Sequence, residues 1–246
     1  MGIAIYRTFL AIVVLLTLGI HLPAIEPGQG DQIAAPGQPG FVYGIDIAHY
    51  DGDVVNHLSQ RDEIEFAICK ATEGVTYTDP DFGTNWEVLD SKGLIRGAYH
   101  FYRSNDPPID QARLFLKTCG DLRPIDLPPI LDIEASSVVD PFDPEQFKKD
   151  VLAFLQFIES QTQRKPIIYT GFNFGQQYLG DASFARYPLW IAEYSKSPEP
   201  KIPFSWKGVG YAFWQRSESY RLDSREVDFD VFQGNKSRLL EFIEGH

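Results

Sequence analysis

The stretch Pro128–Glu134 reads PPILDIE and ends an apolar run with two acids, Asp132 and Glu134. Such a run reads as a buried strand, and side chains at i and i+2 of a strand share a face with Cα atoms about 6.5–7 Å apart. Two carboxylates held side by side there repel each other and lose hydration, which calls for a chemical or cation-binding reason. Glycoside cleavage supplies one. It needs an acid to protonate the leaving oxygen and a group to support positive charge at the anomeric carbon. Crowding and partial burial keep one member of such a cluster protonated while another stays ionised. Glu134, with the longer reach and the later position, takes the acid role, and Asp132 that of stabilising charge. Two more acids fall at strand ends, Asp46 in YGIDIAHYDGD and Asp228 in EVDFDVF. Glu193 and Asp230 read as solvated loop acids.

Aromatic residues end the same strands: Tyr99, Tyr102, Tyr169, Trp190, Tyr194 and Trp214, with His100 among them. Sugar rings stack their apolar faces on such side chains, so these seven are candidate substrate contacts. The competing reading is that about half of them fill a barrel interior. His100 reads equally as a hydrogen-bonded core residue. No second histidine lies at ligand spacing, so neither a metal site nor a cofactor is expected. A cation-dependent phosphodiesterase would use the four acids as oxygen ligands, but the basic residues that grip phosphate are missing.

These groups need a scaffold. Apolar strands at Val42–Ile47, Ile64–Lys70, Ile95–Phe101, Pro129–Glu134, Pro166–Thr170, Leu189–Ala192, Gly210–Trp214 and Val227–Asp230 alternate with helical segments. That pattern predicts an α/β fold with crossover helices, and eight strands predict a closed barrel. Helices are expected over Asp79–Ser91, Pro108–Thr118, Pro144–Gln161 and Lys236–Ile243. In the third of these, Asp143 offers an N-cap, and Phe147, Val151, Phe154, Leu155 and Ile158 recur at helical spacing. The first five strands are separated by helix-sized segments and the last three by shorter ones. One domain over residues 41–246 follows.

The chain has 246 residues and a formal net charge of −12, which repels nucleic acid and anionic membrane surfaces. Residues 1–25 contain the apolar run Phe9–Ile20 behind Arg7, read as a secretory signal or, uncleaved, as a membrane anchor. Residues 26–40 (EPGQGDQIAAPGQPG) form a Pro/Gly linker too polar to fold. The protein is expected to be exported, secreted or periplasmic, or tethered to the membrane by that segment, and to be a monomer. Export permits a disulfide, and pairing of Cys69 with Cys119 is left open.

Seven blocks carry a specific resemblance: YGIDIAHYDGDV, FAICKATEGVTYTDPDFGTNW, GLIRGAYHFYR, PPILDIE, PIIYTGF, LWIAEY and VDFDVF. In this order they are similar to glycoside hydrolase family 25, lysozymes that act as N-acetylmuramidases, over roughly Phe41–Phe232. The resemblance implies a modified TIM-type barrel of five β/α units followed by three β-strands. It implies hydrolysis of the β-1,4 bond between N-acetylmuramic acid and N-acetylglucosamine in peptidoglycan, with retained configuration. The family's acid/base falls on Glu134, its partner aspartate on Asp132, and its other site aspartates on Asp46 and Asp228. It also implies help from the substrate's own acetamido group, with Asp132 supporting an oxazolinium-like intermediate. Two positions depart from the family's usual first block: Ala48 stands where serine is usual and Asp51 where glutamine is usual. Asp51 therefore becomes a candidate sugar contact that adds negative charge to the cleft mouth. Another N-acetylhexosamine polymer such as chitin, or glycan binding without cleavage, remains the alternative.

Overall fold

The computed structural model describes residues 40–59, 62–222 and 225–246; the expected leader and almost all of the linker lie outside the described residues. The elements run β1 (Val42–Ile47), α1 (Val54–His57), β2 (Ile64–Glu73), β3 (Tyr77–Thr78), α2 (Phe82–Ser91), β4 (Ile95–Phe101) and α3 (Pro108–Cys119). They continue with β5 (Ile130–Asp132), α4 (Pro144–Thr162), β6 (Ile167–Gly171), α5 (Phe172–Tyr178), β7 (Leu189–Ala192), β8 (Phe213–Leu222), β9 (Arg225–Phe232) and α6 (Lys236–Gly245). Strand order is β1-β9-β8-β7-β6-β5-β4-β2-β3, and the added β1–β2 pairing closes eight strands into a barrel with β3 outside it. Within the barrel, neighbours from β1 through β8 run parallel, whereas β9 is antiparallel to both β8 and β1; outside it, β3 is antiparallel to β2. A hairpin return from β8 to β9 replaces the last helical crossover, because β9 begins three residues after β8 ends, too few for a helix.

Strand parity sorts the side chains into two layers. Val42, Phe66, Ile68, Tyr99, Ile130, Tyr169, Trp190 and Phe213 fill the barrel interior. Their chain neighbours, among them Ile45, Ala67, Cys69, Leu131, Ile168 and Trp214, pack outward with the helices. At Gly44 an added Cβ would lie 2.2 Å from the Phe66 ring, so the interior admits that ring only because position 44 has no side chain. The α4 helix meets its expected limits within one residue. Asp143 accepts from the Glu145 and Gln146 amides, and Phe147, Val151, Phe154, Leu155 and Ile158 form its buried face. Cys69 and Cys119 are both buried and unbridged.

Several boundaries shift by a few residues, and β8 and α5 differ most from the sequence reading. The β8 strand extends to Leu222 and pairs with β9 over a long irregular hairpin, where the sequence reading ended it at Trp214. The α5 helix follows β6 directly. Its short FNFGQQY sequence contains a glycine and lacks a strong helical period, so packing of Phe172, Phe174 and Tyr178 on the core favours it.

Candidate active site

Inward parity carries through to the mouth of the barrel, where core residues give way to acids. Asp46 is the penultimate residue of β1 and Asp132 ends β5, while Glu134 follows at the start of a tight turn over Ala135–Ser137. The β5 ladder runs one step past its last strand residue: the Ile133 amide donates to the Tyr169 carbonyl (3.0 Å), anchoring the backbone just before Glu134. Asp228 sits directly opposite Asp46 in the antiparallel β1–β9 pair. Asp46, Asp132, Glu134 and Asp228 thus line one cavity of about 200 Å³, together with Tyr99, Tyr169, Trp190 and Tyr194. Two cleft residues had drawn no attention in the sequence. Tyr50 stands exposed at the rim, and Lys70 forms part of the wall.

A third overlooked residue organises the floor. Gln215 is 1% exposed, and its amide nitrogen donates to Asp46 Oδ2 (2.6 Å) and Asp228 Oδ2 (3.0 Å). Its carbonyl oxygen accepts from the Tyr169 and Tyr194 hydroxyls, at 2.8 and 2.6 Å. Every polar atom of this amide is therefore committed, which locks its orientation. Nothing local in FWQRS marks it; only the closure of β8 on β9 and β1 brings its partners together.

Asp230 is not the solvated acid expected. It is fully buried, accepts from the Trp190 indole N–H at 2.8 Å, and hydrogen-bonds with the Asp46 carboxyl. Burial pushes its carboxyl up to about 8. Burial and then the neighbouring Asp46 raise Asp228 to about 8 as well. Asp46 is itself raised, by burial in the cavity and by Asp230. Asp132 is raised by burial first, then by Glu134 and Asp46, with Lys70 pulling the other way. Its Oδ1 is buried with no hydrogen-bond partner among the described residues. Glu134 is only partly covered and accepts a 2.5 Å hydrogen bond from the Ser136 hydroxyl. At neutral pH the cavity is a proton-holding cluster, opened to solvent on the Glu134 side.

Four sequence candidates fall elsewhere. His100 is fully buried on the outward face of β4; its Nε2 donates to Gln111 Oε1 (3.0 Å) and its Nδ1 accepts from the Thr72 hydroxyl (2.7 Å). Burial lowers it to about 4, keeping the ring neutral. Tyr102 is fully buried edge-on against Phe147 and Phe154. Trp214 shares the outward parity, is 3% exposed, and donates its indole N–H to the Glu193 carbonyl. These three cannot touch a sugar, because a one-residue offset turns each away from the cavity. Asp51 is partly exposed, but its carboxylate accepts from the Ala48 amide at 2.7 Å and ties down the loop after β1. Ala48 is buried and lines no part of the cavity.

A second hollow, of about 490 Å³, shares Glu134, Tyr169 and Tyr194 with the acid cavity and runs on past Asn173, Glu193 and Lys201. Glu134 stands where the two meet. Another hollow of about 420 Å³ lies around Leu189, Phe242 and His246, and its lining holds one carboxylate, Glu241.

The profile of Glycosyl hydrolases family 25 matches residues 45–224, a span containing three of the four acids. The chain belongs to that family. It is therefore a glycoside hydrolase of the lysozyme type. Lysozyme M1 of Streptomyces globisporus is 31% identical over 88% of this chain and 77% of its own length. The uncharacterized protein YegX of Escherichia coli (strain K12) is 33% identical, covering 96% of this chain and 86% of its own. The crystal structure of the bacterial lysozyme from Streptomyces coelicolor superposes with a TM-score of 0.76 at 30% identity, covering 83% of this chain and 97% of that one.

Proposed function

We propose that this protein is an exported N-acetylmuramidase that cleaves the β-1,4 bond between N-acetylmuramic acid and N-acetylglucosamine in peptidoglycan. The observation that carries the reading is that Asp132, at the end of β5, and Glu134, two residues on, line one cavity, with Glu134 also at its junction with a second hollow. In this reading Glu134, the more accessible acid, protonates the leaving oxygen and then activates water. Asp132 Oδ1, buried and unpartnered, accepts the N–H of the substrate's acetamido group as its carbonyl oxygen closes on the anomeric carbon. Bond cleavage then gives a cyclic oxazolinium ion, which water opens with retention. Asp46, Asp228 and Gln215 shape the floor that holds the reacting sugar, and Tyr50, Tyr99 and Tyr194 offer rings and hydroxyls to it. The polymeric substrate lies outside the cytoplasm, and the apolar Phe9–Ile20 run supports an exported location, with or without a tether.

The test is release of reducing ends from purified peptidoglycan and from chitin. Wild type should release them from peptidoglycan far faster than from chitin. Glu134→Gln should lower that rate by about a thousandfold, as loss of an acid/base group does. Equal rates on both polymers would overturn the substrate assignment, and full activity of Glu134→Gln would overturn the mechanism.

A further inference from the structure

Behind the cleft wall, an ion network joins the ends of β2 and β4 to the turn that carries Glu134. Lys70 Nζ donates to Glu73 Oε2 at 2.6 Å. Arg103 Nε donates to Glu73 Oε1 at 2.8 Å, and its Nη2 bonds the same oxygen. The remaining arm, Nη1, donates to the Ser136 backbone carbonyl at 2.6 Å. Ser136 in turn holds Glu134 through its hydroxyl. Arg103 is pinned from behind as well: Gln111 accepts from its amide and donates to its carbonyl, both at 2.9 Å, and Phe101 lies under its guanidinium at 5.0 Å. Glu73 is opposed by burial but is held below the ordinary carboxylate range by its bonds to Lys70 and Arg103, so the network stays charged.

We infer that Arg103, braced by Glu73, is a positioning residue that sets the direction of the Glu134 carboxyl by gripping the Ser136 turn. The reason lies in the geometry of the side chain. A planar guanidinium can bond a carboxylate with one edge and a carbonyl with the other, whereas a lysine is a point charge that cannot hold both at fixed angles. Glu134 lies two residues beyond its strand. Its turn is closed by local bonds from the Ser137 and Val138 amides and tied at its far end by the Ser104 amide to the Ser137 carbonyl (2.9 Å), but among the described residues only Arg103 reaches Ser136 from outside the turn. Without the Arg103 grip on Ser136, whose hydroxyl holds it, the Glu134 carboxyl would sample directions away from the glycosidic oxygen, and small misplacements of a catalytic group reduce turnover steeply. The network also explains why His100 and Gln111 lie beneath the site without touching it: they hold the backbone of Arg103.

This inference rests on Glu134 being the acid/base of the proposed reaction. The experiment compares Arg103→Lys, Ser136→Ala and the double variant on peptidoglycan, with Glu134→Gln as reference and melting temperature measured for each. Arg103→Lys should lower kcat by about tenfold while KM stays within about twofold, since the loss falls on the transition state. Ser136→Ala, at an exposed site where no fold is at stake, should lower kcat by about threefold on the same reasoning. The double variant should fall short of the product of the two, because both changes act through one carboxyl. Wild-type kcat in Arg103→Lys, with Glu134→Gln inactive, would overturn this inference and leave the acid/base reading intact. Should Arg103→Lys not fold, wild-type kcat in Ser136→Ala would overturn it equally. Full activity in Glu134→Gln would overturn both readings.

Discussion

Asp126 and Asp132 stand just before β5 and at its end, both buried, and the chain treats them in opposite ways. Asp126 is fully buried but fully answered. Arg96 bonds both its oxygens, at 3.0 and 2.9 Å, and Arg123 adds its backbone amide at 2.9 Å and a guanidinium arm at 3.0 Å. Burial alone would raise its carboxyl, but the Arg96 and Arg123 bonds outweigh it and hold Asp126 below the ordinary range. Asp132 meets other acids instead, keeps one oxygen unpartnered, and is raised. The difference separates a carboxylate that ties the barrel together from one that, in the proposed reaction, is left open for a substrate. Burial alone identifies neither; the partners do.

The largest effects should pull this pair apart. Asp132→Asn should lower turnover on peptidoglycan by about a hundredfold or more, the scale of losing electrostatic support for a charged intermediate. Its melting temperature should match or exceed wild type, because a like-charged neighbour is removed. Asp126→Asn should do the reverse: about 3 kcal/mol of stability lost in denaturant unfolding, since two arginines lose their carboxylate, with kcat kept in the folded fraction. If Asp132→Asn unfolds the protein while Asp126→Asn is silent, the contrast is wrong.

Gln215→Leu should come next, with a loss of turnover of about tenfold. It leaves the Asp46 and Asp228 oxygens and two tyrosine hydroxyls without their shared partner. Comparison of kcat and KM across a substrate series would show whether the floor holds the reacting sugar, and unchanged kinetics would show that it does not.

The smallest effect is a slope. Asp230 titrates near 8 in the folded chain against an ordinary 3.8, so the folded protein holds a proton that the unfolded chain has released. Below about pH 4 both states are protonated; between pH 4 and 8 only the unfolded chain gives up its proton, and stability falls as pH rises. Asp228 acts in the same direction over the same window. Melting temperature should therefore decline between about pH 5 and 8, and decline less in Asp230→Asn. A rising melting temperature over that range would contradict the raised carboxyls at the mouth.

Much of this arrangement was legible in the sequence. Apolar runs marked strands such as Val42–Ile47 and Leu189–Ala192 at their observed limits, because buried parallel strands read as continuous hydrophobic stretches. The acids were legible because each interrupts such a stretch. What sequence could not supply was parity around the closed barrel. Tyr99 faces the cavity and His100 the helices, though both follow the same apolar run. Gln215 and Asp230 were missed for a related reason: their partners lie on other strands, and one-dimensional spacing carries no trace of the hairpin that joins them.

The central claim is that the Asp132–Glu134 pair cuts after N-acetylmuramic acid in peptidoglycan. Mass spectrometry of the soluble products, after borohydride reduction of new ends, reads this directly. The account predicts reduced N-acetylmuramic acid at the new termini with wild type, and no such products with Glu134→Gln. Reduced N-acetylglucosamine at those termini, or equal products from both enzymes, would contradict it.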